Sequence, residues 1–80
     1  MTEEQKVSIV EKCKSKAYTK FGSYKVESIE DVGGWKFNLG NDEWVMMRAS
    51  GTEPVLRVYA QSADLAGARA ILEATKATIL

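Results

Sequence analysis

Two short runs in this sequence carry apolar residues at every second position, a period that fits extended chain and not helix, and a third, continuously apolar run lies between them. Trp35, Phe37 and Leu39 alternate with Lys36 and Asn38, and Gly40-Asn41-Asp42 breaks the run before Glu43-Trp44-Val45-Met46-Met47 begins another. Leu56, Val58 and Ala60 then alternate with Arg57, Tyr59 and Gln61. Successive strand side chains point to opposite faces of a sheet, so each run reads as a strand with one side in a core. The first two are close enough to pair as a hairpin. From Tyr24, β-branched Val26, Ile29 and Val32 in a mainly polar run, ended by Gly33-Gly34, predict a further strand ahead of them.

Both ends of the chain change period. Thr2 followed three positions later by Gln5 reads as a capping box. Val7, Val10, Cys13/Lys14, Ala17/Tyr18 and Phe21 recur at helical spacing until Gly22, which predicts a helix over 3–21 with Gly22 as its stop. Ser62 offers an N-cap with Asp64 in the first turn, and Leu65, Ala68, Leu72, Thr75 and Ile79 share one face of a second helix. The expected order is α-β-β-β-β-α. Short connections favour an antiparallel sheet, and two amphipathic helices can cover only one of its faces. The predicted class is therefore α+β, a two-layer sandwich of a four-stranded antiparallel sheet with two helices on one side.

A chain of 80 residues, 45% hydrophobic and 28% charged, buries one core, so residues 1–80 are expected to form a single domain. Lys plus Arg and Asp plus Glu number 11 each, so no global field draws the chain to nucleic acid or to an anionic membrane. Any anion it binds must be held locally. Cys13 has no partner for an intrachain disulfide, and no long apolar run interrupts the polar segments, which points to a reducing, cytoplasmic setting away from membranes. Histidine is absent, and with it the usual general base and metal ligand. No catalytic residue and no metal site are expected in this chain.

One segment asks for more than a turn: Arg48-Ala49-Ser50-Gly51-Thr52-Glu53-Pro54, with Arg57 three residues on. Ser50 and Thr52 bring hydroxyl donors, Gly51 lets backbone N–H groups approach a ligand closely, and Pro54 forces Glu53 extended as the chain re-enters a strand. A concave run of donors suits a tetrahedral dianion, and an arginine at each edge can present a planar fork to phosphate oxygens. Composition alone would make this an ordinary hairpin loop; the arginines tilt the reading. Glu53 would repel a dianion unless it braces Arg48, Arg57 or the loop backbone. Parity sharpens the picture. If Leu56, Val58 and Ala60 face the helices, Arg57 and Tyr59 face the open side. Putting Val45, Met47 and Ala49 toward the helices leaves Trp44, Met46 and Arg48 on that same open side, provided no bulge shifts the register.

The stretch from Arg48 to Tyr59 resembles the Arg-x-Ser-Gly-Thr-Glu-Pro-x-x-Arg signature of the phosphoglucomutase and phosphomannomutase superfamily, the α-D-phosphohexomutases. The likeness extends over the initial helix, a Gly-Trp turn into strands, the apolar strand entering the loop and the closing Ala-rich helix. It implies the C-terminal domain of a larger mutase, with a fold similar to TATA-box-binding protein, whose loop grips the hexose phosphate group that is not being transferred. By position, Arg48, Ser50, Gly51, Thr52 and Arg57 would contact phosphate, and Glu53 and Pro54 would order the loop. The resemblance further implies a phosphoserine, three Mg²⁺-binding aspartates and a sugar-selecting loop on the other domains of the parent chain. This domain alone is then expected to be inactive and to hold no cofactor. Gln61 departs from the glutamate many members carry.

Other features have plainer readings. Cys13 reads as core, Trp35, Phe37 and Leu39 as sheet interior, and Lys6, Lys12, Lys14, Lys16 and Lys20 as a solvated face. A nucleic-acid-binding module would also display aromatics and arginines on an open sheet, but zero net charge argues against it. The sugar stays open at this level: phosphoglucomutase or phosphomannomutase is the first choice, phosphoglucosamine mutase the alternative.

Overall fold

The computed structural model of the protein describes residues 2–49 and 55–80. Its elements are α1 (Glu3–Lys14), β1 (Lys20–Phe21), β2 (Tyr24–Lys25), β3 (Ser28–Asp31), β4 (Trp35–Gly40), β5 (Glu43–Ala49), β6 (Leu56–Gln61) and α2 (Leu65–Ile79). Strands β3-β4-β5-β6 pair in that order, each antiparallel to its neighbour, and β1 and β2 form a separate two-stranded ribbon. The sheet and its two helices make the α+β sandwich that the alternation predicts.

The capping box is present: Gln5 N donates to Thr2 Oγ1 at 3.1 Å, and Thr2 N donates to Gln5 Oε1 at 2.9 Å. The helix is shorter than its periodicity suggests, stopping at Lys14 instead of running to residue 21. Ala17 N bonds Lys12 O at 2.9 Å and Lys16 N bonds Cys13 O at 3.2 Å, with Lys16 in the left-handed region at φ 58°. This is a Schellman stop built without glycine, hence silent in the sequence. Tyr18 and Phe21 are core residues all the same, but from the segment after the helix. Gly22 is the turn between β1 and β2, not a helix stop: its φ is +60°, a Cβ there would lie 3.0 Å from that of Ala74, and its N–H donates to Thr78 Oγ1 at 3.2 Å.

The strand expected from Tyr24 to Val32 is divided. Its first part folds back on β1, and only Ser28–Asp31 joins the large sheet. The buried stripe of α1 is Lys6, Ile9 and Cys13, while Val7 is 51% exposed. Lys6 thus leaves the solvated face assigned to it, its ammonium 3.8 Å from Glu3, because a long aliphatic stem can cover apolar surface. On α2 the cap is Asp64, whose carboxylate accepts from Gly67 N at 2.7 Å. Ser62 is engaged elsewhere, donating to Glu43 Oε2 at 2.7 Å. Ile71 and Thr75 are the buried positions of α2, and Leu65, expected on that face, is exposed.

Between the layers lie Ile9, Cys13, Tyr18, Phe21, Phe37, Leu39, Val45, Met47 and Ile71. Phe21 and Phe37 meet edge to face at 5.0 Å, with Tyr18 against both. Asn41 and Asp42, both at positive φ, close the two-residue β4–β5 hairpin in the sense that matches strand twist. A register irregularity at Leu39 is confined to that end of the sheet. No helix among the described residues is long and apolar enough to cross a membrane.

Candidate functional site

Strands β5 and β6 pair without a bulge, and the register sets Arg48 directly opposite Arg57, Met46 opposite Tyr59 and Trp44 opposite Gln61. Cross-strand partners share a face. Val45 and Met47, fully buried, hold the helix side, so the arginines stand together on the bare side as parity predicts. Directly opposed residues have Cβ atoms about 5 Å apart, and like charges in that position destabilise a sheet. Both arginines are exposed, and neither has a hydrogen-bond or ion-pair partner among the described residues. An anion between them would remove the repulsion and satisfy both forks.

Ser50, Gly51, Thr52, Glu53 and Pro54 lie outside the described residues, and so does the expected brace from Glu53. The residues on either side place their ends: the chain leaves β5 after Ala49 and re-enters β6 at Leu56, whose Cα atoms are partners. Arg48 and Arg57 are thus the cross-strand pair next to the last described residues of β5 and the first of β6.

One contributor was hidden in the sequence behind its reading as a turn signal. Gly34 precedes Trp35, which pairs with Met47, so Gly34 lies beside Arg48. A Cβ on Gly34 would come within 2.8 Å of Met47 O, 3.2 Å of Arg48 Cβ and 3.4 Å of Arg48 Cα. The missing side chain lets β4 approach the backbone that carries Arg48. The signal was available, since the hairpin register of β4 and β5 brings position 34 to 48.

The far end of the same face has a different character. An open depression of about 630 Å³ is lined there by Lys36, Asn38, Asp42, Trp44 and Gln61, among others. Two of its polar groups are engaged from β3: Asn38 Nδ2 donates to Glu30 Oε2 at 2.8 Å and to Ser28 Oγ at 3.0 Å, and Lys36 Nζ is 3.8 Å from Glu30. The Lys36 ammonium also sits 5.1 Å from the Trp44 ring centroid. On the helix side, burial pushes the Cys13 thiol up to about 11, as fits an inert core residue. Among the described residues no three His, Cys, Asp or Glu side chains gather as a metal site would require.

The fold and the opposed arginines define a class, that of open-faced α+β sandwiches presenting paired cations on the uncovered side of the sheet. Within it, the sequence profile described as "Phosphoglucomutase/phosphomannomutase, C-terminal domain" matches residues 1–77, and the chain belongs to that family. A protein of Methanobrevibacter smithii named "Probable phosphoglucosamine mutase" is 31% identical over 72 residues, covering 90% of this chain and 16% of that protein. No solved structure matches the chain.

Proposed function

We propose that this chain, as a single C-terminal domain, grips the non-transferred phosphate of a hexose phosphate while the other domains of a larger cytoplasmic mutase move the second phosphoryl group. The observation that carries the reading is the Arg48–Arg57 pair, opposed on a bare sheet face without a counter-charge among the described residues. It stands next to the last described residues of β5 and the first of β6. A gripped phosphate is remote from the bond being made, so its binding energy positions the sugar and raises turnover as well as affinity. The Mg²⁺ that the resemblance implies would be held by aspartates elsewhere in the parent chain. Family membership supports a phosphoglucomutase or phosphomannomutase substrate, whereas the name of the Methanobrevibacter relative favours glucosamine phosphate.

In the full-length mutase, Arg57→Ala is expected to lower kcat/KM by at least about 100-fold, since a desolvated charge-assisted contact is worth roughly 3 kcal/mol. Arg57→Lys should recover only part, keeping the charge but losing the fork. Equal losses on two hexose phosphates fit a phosphate contact. A loss confined to one sugar would reassign Arg57 to specificity, and wild-type kinetics would remove it from the site. The chain alone should show no mutase activity.

A further inference from the structure

We propose that Tyr59 is the platform on which the sugar ring of the bound phosphate ester rests. The inference builds on the phosphate reading above and adds to it the direction in which the sugar lies. Tyr59 is two residues beyond Arg57 on β6, hence on the same open face and roughly 7 Å further along the strand. Its cross-strand partner is Met46, so the row next to the two arginines is apolar and aromatic. At 40% exposure, Tyr59 is the one exposed aromatic side chain among the described residues.

The neighbouring rows distinguish it from the other ring on this face. Trp44 already has a cation on it, the Lys36 ammonium at 5.1 Å. Lys36 and Asn38 are in turn engaged by Glu30. Tyr59 has no such occupant among the described residues. A hexose joined through one ester oxygen to a phosphate between Arg48 and Arg57 has this row within reach. The apolar C–H face of a pyranose matches a phenol ring, and a tyrosine ring offers that area at low conformational cost. Stacking of this kind makes no hydrogen bond to individual sugar hydroxyls. Tyr59 is thus a positioning residue, not one that selects between sugars.

The test uses the isotope-labelled chain and two probes, inorganic phosphate and glucose 1-phosphate. Both probes should shift the Arg48 and Arg57 side-chain resonances, while only glucose 1-phosphate should shift the Tyr59 ring and the Met46 methyl. Tyr59→Ala should weaken glucose 1-phosphate about five-fold and leave inorganic phosphate unchanged, and Tyr59→Phe should retain wild-type affinity for both. A Tyr59 ring unmoved by glucose 1-phosphate while the arginines respond overturns the proposal and leaves the phosphate reading standing. Equal weakening of both probes by Tyr59→Ala also overturns it. If neither probe moves the arginines, the phosphate reading fails, and this inference with it. The wild-type ring shift decides the matter even if the alanine variant does not fold.

Discussion

Single residues decide how closely the layers and strands approach. Gly34 has the most definite cost attached, because an added Cβ meets the backbone of β5 and not the end of a flexible side chain. Gly34→Ala should destabilise by about 1–3 kcal/mol, read as a lower urea midpoint, with the largest amide shifts near Met47 and Arg48. An unchanged midpoint would mean that β4 and β5 are further apart than described. Cys13 offers a check of a different kind. Burial raises its thiol from 9.0 to about 11, and burial raises the Tyr18 phenol as well, with the negative charge of a Cys13 thiolate adding to it. The native state then holds these protons more tightly than the unfolded chain does. Their contribution to stability is complete below pH 9 and is lost as pH rises through the native values. Urea midpoints should fall between pH 9 and 11, and less steeply in Cys13→Ala; an equal fall in both would remove Cys13 from the explanation.

At the scale of elements, what was legible followed from period and what was not followed from stops. Alternation at Trp35–Leu39 and Leu56–Ala60, with an apolar run between them, reported the strands, and the facing assumed for Val45 and Met47 gave the parity of Arg48 and Arg57, because a half-buried sheet tolerates no slip by one residue. The end of α1 was illegible because Lys16 occupies a position where glycine is the usual marker. Tyr18 and Phe21 kept apparent helical spacing while being buried from a loop and from β1. Ser62 looked like a cap because a serine before a helical run has the right chemistry, but its hydroxyl serves Glu43 and Asp64 closes the helix. Lys16→Gly should relieve the left-handed strain of about 1–2 kcal/mol, partly offset by the extra freedom of glycine in the unfolded chain. A net gain of up to about 1 kcal/mol is expected as a higher urea midpoint at unchanged slope. A lower midpoint would contradict the stop described for α1.

For the molecule as a whole, two helices on one side of a four-stranded sheet leave the other side uncovered, and the chain ties down the rest. Gly22 fastens the β1–β2 ribbon to α2 through Thr78, and Gln61 Nε2 donates to Asp42 O at 3.1 Å, closing the sheet end away from the arginines. The uncovered side thus has a stitched end and a charged end, and only the charged end asks for a ligand. The sequence motif located that end by residue type, whereas the opposed placement of the two arginines needed the register, and the part played by Gly34 needed the approach of β4. The proposed grip requires that Arg48 and Arg57 together hold one phosphate group. Its most direct test is the affinity of the wild-type chain, Arg48→Ala and Arg57→Ala for glucose 1-phosphate, measured by NMR titration at one fixed ionic strength. A single open site without domain closure should give the wild type a millimolar dissociation constant, about 4 kcal/mol, and each alanine variant should bind at least about 10-fold more weakly. Wild-type affinity in either variant would contradict the account.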